Sequence, residues 1–287
     1  MIGAVEITRV GDLRLGWGES LVWDELRQRL YFVDCQASTL HWLDDDDRTL
    51  HTFRLPSMPT GIVPTDDGRL VGALDDGLHV IDPDVATTRL VATYPHELEG
   101  RCNDACADLA GNIITGKLNL GPAEGSAWRW SHQHGWRLID RDIANTNGPA
   151  VGVIDGSMTL IIGDTSAVYF AYPYDAATGR AGARSVFGDT SGLEGMPDGS
   201  TLDVDGGLWC ALVGGAQLAR FTSGGLDRIV PVPVTNPTDV TFGGPLLDRL
   251  YVVSIASDAS ELDGALLVIE DLDVHGRAEP RCTIGSA

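Results

Sequence analysis

The chain has 287 residues, 43% of them hydrophobic, so it is long enough to bury a large core. Its 41 acidic and 20 basic side chains give a formal net charge of −21, which disfavours nucleic acid and anionic membranes as partners. Five scattered cysteines without a C-x-x-C pair argue against a disulfide framework. Neither a targeting segment nor an apolar run of about 18 residues is visible, so we expect a cytoplasmic protein.

Short alternating or apolar runs bounded by Gly, Asp, Pro and Asn predict an all-β chain. Glycine and proline are spread evenly without a linker, so we expect one domain over residues 1–287. One unit recurs: a polar or Gly-rich start, a short strand, an Asp or Gly turn, and a strand that begins at a bulky aliphatic residue. These aliphatic residues are Leu30, Leu70, Ile113, Leu160, Leu208 and Leu250, at spacings of 40, 43, 47, 48 and 42.

Six units with a period in the forties predict a six-bladed β-propeller. The first strand of each blade lies innermost in such a ring, so the starts of the units face the central channel. The sixth unit needs one more strand, from residues 5–10 or from a C-terminal run near residues 277–283. We expect the N-terminal segment to supply it.

Four unit starts carry a polar residue: Glu19, Asn103, Asn147 and Asp198. Each has a purely structural alternative as a turn-forming or solvated side chain. The propeller would nevertheless bring all four to one ring around the channel. Two carboxylates with amide oxygens, and no His or Cys, form a hard oxygen site that favours Ca²⁺, Mg²⁺ or Mn²⁺ over a structural zinc. An incomplete protein shell would leave positions for water and substrate.

Four segments carry a family resemblance: 18–24 (GESLVWD), 101–104 (RCND), 146–148 (TNG) and 196–209 (MPDGSTLDVDGGLW). They resemble motifs of the senescence-marker-protein (regucalcin)/gluconolactonase family, which includes sugar lactone lactonases. The similarity runs in register from about residue 15 to residue 254. It implies a six-bladed propeller with one divalent cation in the central channel, with Ca²⁺ favoured and Mg²⁺, Mn²⁺, Zn²⁺ or Fe²⁺ also open.

The resemblance also implies roles for individual residues. Glu19, Asn147 and Asp198 match the metal ligands, and Asp198 also matches the proposed catalytic base. Arg101 and Asn103 match residues that hold substrate hydroxyls, and Asn103 is counted as a ligand in some relatives. An ordinary surface ion pair with Glu99 or Asp104 remains the alternative for Arg101.

The sequence departs from the family pattern at three places, and each departure leads to a prediction. Ser20-Leu21 follows Glu19 where Gly-Pro is usual, which alters the turn but keeps the ligand. The strand after Asn147 is one residue longer than the pattern, which predicts a bulge there. Lys117 stands where relatives commonly have a small or polar residue. We interpret it as a substrate-binding residue that selects negative charge, with a solvated surface lysine as the alternative.

The sequence therefore predicts a metal-dependent hydrolase that opens a small sugar-derived lactone to the sugar acid, with no nucleic acid or membrane partner. Two alternatives stay open: cleavage of organophosphate or xenobiotic esters at the same site, and a non-enzymatic Ca²⁺-binding propeller. A polar pocket favours the lactone substrate over the organophosphate or xenobiotic ester. Arg101 and Asn103 beside an open metal position favour an enzyme over a binding protein. The identity of the lactone and the oligomeric state are left open.

Overall fold

The structure, a computed structural model of the chain, describes residues 5–98, 102–117 and 125–284. Within these residues the chain forms strands, one 3₁₀ turn at His96–Leu98 and no α-helix. No helix in the described part is long and apolar enough to cross a membrane. The all-β prediction is confirmed.

The strands are numbered in chain order. In the first half they are β1 (Glu6–Arg9), β2 (Gly18–Asp24), β3 (Arg29–Asp34), β4 (Thr39–Asp44), β5 (Leu50–Arg54), β6 (Gly61–Pro64), β7 (Leu70–Leu74), β8 (Gly77–Asp82), β9 (Thr87–Thr93), β10 (Cys102–Ala107), β11 (Ile113–Lys117), β12 (Ala127–Ser131) and β13 (Gly135–Asp140). In the second half they are β14 (Thr146–Ile154), β15 (Ser157–Asp164), β16 (Val168–Asp175), β17 (Arg180–Ala181), β18 (Ser185–Asp189), β19 (Met196–Leu202), β20 (Leu208–Val213), β21 (Gln217–Thr222), β22 (Gly225–Pro231), β23 (Pro237–Gly243), β24 (Arg249–Ser254) and β25 (Leu267–Glu270).

These strands form six antiparallel sheets. From the innermost strand outward, blades 1 to 3 are β2-β3-β4-β5, β6-β7-β8-β9 and β10-β11-β12-β13. Blade 4 is β14-β15-β16, with β17 and β18 both paired to β16, and blade 5 is β19-β20-β21-β22. Blade 6 is β23-β24-β25-β1. The six innermost strands contact one another in turn, and β23 returns to β2, so the ring is closed.

Closure of blade 6 follows the sequence-based expectation. The N-terminal strand β1 pairs antiparallel with β25, from Glu6 opposite Glu270 to Arg9 opposite Leu267. The C-terminal alternative is not used as a blade strand. The predicted six-bladed propeller is thus confirmed.

The core lies between the blades. Six clusters of buried apolar side chains are present, and each joins two neighbouring blades. A blade inside a ring is covered on both faces, so apolar side chains are buried on both faces of the blade. The six aliphatic repeat residues all lie on the second strands and are fully buried: Leu30, Leu70, Ile113, Leu160, Leu208 and Leu250.

The chain ends by crossing one end of the channel, here called the base, where the inner strands finish. Residues 275–284, here called the C-terminal strap, bond to the ends of several blades. Arg277 N–H donates to Leu202 O at 3.0 Å, and Cys282 N–H donates to Pro64 O at 2.7 Å. Thr283 N–H donates to Gly111 O at 2.9 Å. The strap therefore ties blades 5, 2 and 3 together across the base.

Candidate functional site

The inner strands begin at the opposite end of the channel, here called the site end. Five of the six inner strands carry a pairing irregularity close to this end, in β2, β10, β14, β19 and β23. The sixth, β6, pairs with β7 without a shift and has no predicted site residue. A bulge turns side chains out of the regular alternation, so it can direct a polar group into the channel. The bulge predicted after Asn147 is confirmed, between Asn147 and Ala150.

Three predicted ligands lie at these bulges and are buried. The exposed fraction is 7% for Glu19, 3% for Asn147 and 9% for Asp198. Asn103 lies in the bulge of β10 and is partly buried. The structure therefore places these four residues at the same end of the ring, on blades 1, 3, 4 and 5.

The two asparagines are oriented by bonds to the next blade. Asn103 Nδ2 donates to Thr146 O at 2.9 Å and also to Asn147 Oδ1. Asn147 Nδ2 donates to Pro197 O at 2.8 Å. Because the amide nitrogen of each residue is held by a backbone carbonyl, its oxygen is directed away from that carbonyl. Amide oxygens placed in this way can accept a cation or a substrate hydroxyl.

Blade 6 repeats this arrangement with a residue that the sequence analysis missed. Thr238 Oγ1 donates to Gly18 O, the carbonyl that precedes Glu19. Thr146 and Pro197 likewise precede Asn147 and Asp198. In all three cases a side chain of one blade holds the backbone immediately before a candidate ligand of the next blade.

The site concentrates negative charge. Burial raises the pKa of Asp198 well above its ordinary range, and repulsion from Glu19, the strongest of the charge effects, raises it further. Burial also raises the pKa of Asp239 in blade 6, and repulsion by Asp104 and Glu19 adds to it. The pKa of Asp104 is raised to about 6 by burial, against the opposing bond from Gly148 N–H. Such a cluster is stabilised by a bound cation.

Asp104 and Asp239 were also missed as part of the ring. Asp104 Oδ2 accepts a hydrogen bond from Gly148 N–H at 2.7 Å, and Asp239 Oδ2 accepts one from Leu21 N–H at 2.5 Å. Both carboxylates therefore join neighbouring blades while adding charge beside the ligands. The signal was present, since Thr238-Asp239 occupies the start of the sixth unit just as Asn103-Asp104 occupies the start of the third.

Ser20 adopts a backbone conformation that explains the departure from Gly in the family pattern. Its φ angle is 52°, in the left-handed region where a non-glycine residue is strained. Its side chain offsets this cost, because Ser20 Oγ accepts a hydrogen bond from Ile62 N–H of blade 2 at 2.7 Å. Glu19 just before it accepts a hydrogen bond from Trp17 Nε1 at 3.0 Å. The turn therefore keeps the ligand in place without glycine.

Two predicted substrate residues have different outcomes. Arg101 lies outside the described residues. Lys117 ends β11 at the site end, opposite Cys102 of β10, and is partly buried. It is thus one strand further from the axis than Asn103, the residue after Cys102. The structure places Glu19, Asn103, Asn147 and Asp198 at one end of the ring, and Lys117 lies at the same end, one strand away from Asn103.

Below the site, a polar cavity of about 30 Å³ lies between the strap and the four candidate residues Glu19, Asn103, Asn147 and Asp198, here called the ligand ring. Asp104, Asp239 and Glu279 line it, together with Ser20 and Ser200. Glu279 belongs to the strap and accepts a hydrogen bond from Thr201 Oγ1 at 2.8 Å. Burial raises the pKa of Glu279 to about 7. The strap therefore places the carboxylic acid of Glu279 at the end of the channel that is called the base.

The donor set fits a hard cation with an open coordination shell. In the part of the chain that the structure describes, no three His, Cys, Asp or Glu side chains are grouped so as to hold a metal. Glu19 and Asp198 alone would supply two carboxylates, so a cation here depends on the oriented oxygens of Asn147 and Asn103. Such oxygen donors suit Ca²⁺ or Mg²⁺ and do not suit a sulfur- or imidazole-bound metal.

Residues 17–256 match the family described as the SMP-30/gluconolactonase/LRE-like region. The chain belongs to this family. A pentonolactonase from Haloferax volcanii is 30% identical over 88% of this chain and 86% of that protein. A 6-deoxy-6-sulfogluconolactonase from Pseudomonas putida is also 30% identical, over 92% of this chain and 94% of the relative.

Solved structures agree with this membership of the SMP-30/gluconolactonase/LRE-like family. A calcium-binding regucalcin from Agrobacterium tumefaciens superposes with a TM-score of 0.87 at 25% identity, covering 96% of this chain and 97% of that one. A luciferin-regenerating enzyme superposes with a TM-score of 0.88 at 26% identity, covering 98% and 100% of the two chains. The family predicted from the four motifs is confirmed.

Proposed function

We propose that this protein is a metal-dependent lactonase that opens a sugar-derived lactone to the sugar acid. The observation that carries the proposal is the orientation of Asn147 and Asn103, whose amide nitrogens are held by carbonyls of the next blade. The buried carboxylates Glu19 and Asp198 lie at the same end of the channel. Membership of the family and the lactonase names of two relatives support the reaction type.

We propose that Glu19, Asn147 and Asp198 hold one divalent cation, with Ca²⁺ favoured because all three donors are oxygens. When bound, such a cation polarises the ester carbonyl and stabilises negative charge that develops on its oxygen. The similarity to a calcium-binding regucalcin supports this choice. Mg²⁺, Mn²⁺, Zn²⁺ and Fe²⁺ remain alternatives for the assay to resolve.

The protein groups have separate tasks in this proposal. Asp198 takes a proton from the attacking water through one carboxylate oxygen. Asn103 orients sugar hydroxyls, with Arg101 and Lys117 as further substrate-binding residues. Tyr169 OH donates to the backbone carbonyl of Asp198 at 2.8 Å. The backbone of the proposed general base Asp198 is therefore fixed by a residue of blade 4. A fixed base next to a bound ester raises the effective concentration of the reacting groups.

The lining of the channel favours a lactone over an apolar ester. The four candidate site residues that the structure describes, Glu19, Asn103, Asn147 and Asp198, are acids and amides, which suit a polyhydroxylated substrate. The pentonolactonase and the sulfogluconolactonase among the relatives act on sugar lactones by name. An organophosphate or xenobiotic ester would instead need an apolar pocket.

The test is acid release from a panel of aldonolactones by chelator-treated protein, with each of the five cations added back. We expect metal-dependent turnover, and we expect Asp198→Ala and Asn147→Ala to lower kcat/KM by about 10²- to 10⁴-fold. Asp205→Ala, in the exposed turn at the base of the same blade, is the control and should retain activity. Turnover of phosphotriesters but not lactones, or cation binding without turnover, would reject the proposal in favour of the two alternatives.

A further inference from the structure

Lys117 is the only lysine among 287 residues, whereas the chain has 19 arginines. We infer that the lactone substrate carries an anionic group, a carboxylate or a sulfonate, on a carbon outside the ring, and that Lys117 binds it. This inference rests on the proposed lactonase function and specifies its substrate class. It is carried by the place of Lys117 in the fold and by the absence, among the residues that the structure describes, of a protein partner for its charge.

Lys117 lies at the last position of β11, where that strand returns to the site end. Its cross-strand partner is Cys102, the residue before Asn103. The strand end is fixed there, because Lys117 N–H donates to Ser126 O at 2.9 Å. Neighbouring strands lie about 4.8 Å apart, so the long lysine side chain starts one strand away from the ligand ring. It is therefore beside the substrate position and outside the metal position.

Within the described residues, the ammonium group of Lys117 makes no hydrogen bond and no ion pair. The turn acids of neighbouring blade 2 bond elsewhere: Asp76 bonds to His79 at 2.7 Å, and Asp75 accepts from Met58 N–H at 3.4 Å. Among the described residues, the other cations without a hydrogen bond, ion pair or charge partner for their side chains are exposed arginines: Arg48, Arg54, Arg89 and Arg141. Lys117 differs from them because it is partly buried.

A partly buried charge without a partner costs free energy that a ligand of opposite charge recovers. An anionic substrate would also need a positively charged group beside the ligand ring. The carboxylates of Glu19, Asp198, Asp104 and Asp239 repel an anion, and a divalent cation offsets only part of their charge. Lys117 supplies positive charge one strand further from the axis than Asp104, on the same blade. The geometry therefore orients the substrate with its ester at the ligand ring and its anionic group toward β11.

The experiment compares three lactones of similar size: neutral glucono-1,5-lactone, a glucarolactone with a carboxylate at the far carbon, and 6-deoxy-6-sulfogluconolactone. The measured quantity is the ratio of kcat/KM for each anionic lactone to kcat/KM for the neutral one. We expect a ratio above one in the native protein and a fall of about tenfold in Lys117→Met. Lys117→Arg should restore part of the ratio, because it keeps the charge. The two anionic lactones show whether carboxylate or sulfonate is preferred.

Arg89→Met is the matched control, since it removes one positive charge from the exposed strand β9. Its ratio should equal that of the native protein. An unchanged ratio in Lys117→Met, or an equal fall in Arg89→Met, would overturn the inference. If the native protein opens none of the lactones with any cation, the lactonase proposal fails instead.

A second readout does not depend on turnover. A single lysine allows its acylation by an amine-selective reagent to be followed at one site by peptide mass spectrometry. We expect glucarate to slow acylation of Lys117 in metal-loaded protein more than gluconate does at the same ionic strength. Equal protection by the two acids would contradict an anion site at Lys117, whether or not the protein is a lactonase.

Discussion

The side-chain nitrogen of Asn147 donates a hydrogen bond to the backbone carbonyl of Pro197 at 2.8 Å, across the boundary between blades 4 and 5. This one bond fixes two candidate ligands. It fixes the orientation of the Asn147 amide, and it holds the backbone just before Asp198. The site is therefore built from contacts between blades, so its geometry depends on the closed ring.

Asn147→Asp tests this bond. An aspartate keeps the oxygen ligands but cannot donate to Pro197 O, and it adds a charge near Glu19 and Asp198. We expect a loss of about 1–3 kcal/mol of stability in chelator, which is about 2–8 °C in Tm for a chain of this size. Added Ca²⁺ should recover much of the loss, because the cation offsets the new charge. Equal melting of variant and native protein in chelator would argue against the role of this bond.

Thr238→Val tests the corresponding bond from blade 6. The substitution removes the donor to Gly18 O but keeps the shape of the side chain. Substitution of a residue that orients a metal ligand typically lowers metal affinity by about 10- to 100-fold. We therefore expect Thr238→Val to weaken Ca²⁺ binding by a factor in that range. Calorimetric titration measures it. Thr241→Val on the same strand is the control, because buried Thr241 makes only a 3.5 Å contact with Phe242 O and should leave affinity unchanged.

Ser20 permits a comparison of strain with hydrogen bonding. Ser20→Ala keeps the left-handed φ angle and leaves Ile62 N–H without its acceptor, so we expect a loss of about 1–3 kcal/mol. Ser20→Gly loses the same bond but relieves a strain of about 1 kcal/mol. Chemical denaturation should therefore rank native protein, then Ser20→Gly, then Ser20→Ala. A glycine variant less stable than the alanine variant would show that strain at this position is negligible.

Glu279 gives a pH-dependent prediction. Its pKa is raised by burial from 4.5 to about 7, so the folded protein holds this proton more tightly than the unfolded chain does. The stabilising effect of the proton is complete below about pH 4.5 and is lost as the pH rises through about 7. We expect Glu279→Gln, relative to native protein, to gain about 2–4 °C in Tm between pH 5 and pH 8. A constant difference in Tm across this range would contradict the raised pKa.

The six blades were predictable from sequence because each blade repeats one buried aliphatic residue at a similar spacing. Leu30 and Leu250, 220 residues apart in sequence, occupy the same position of blades 1 and 6 and are both fully buried. The choice of the N-terminal segment for ring closure was also correct. Repetition makes such features visible, since every blade solves the same packing problem.

The contacts between blades were not predictable in the same way. Asn103 and Asn147 were each singled out, but the bond between them joins bulges 44 residues apart, and sequence does not reveal the direction of a bulged side chain. Thr238, at the start of the sixth unit, was not among the predicted site residues. The roles of the ligands, of Asp198 and of Lys117 stay predictions.

The C-terminal strap also affects how the ring can come apart. The earliest strand, β1, pairs with β25 from the far end of the sequence, and the strap then continues from blade 6 to blades 5, 2 and 3. Loosening β1 leaves the strap in place, and loosening the strap leaves β1 paired. The ring is therefore closed by two separate sets of contacts, and both join parts of the chain that are distant in sequence.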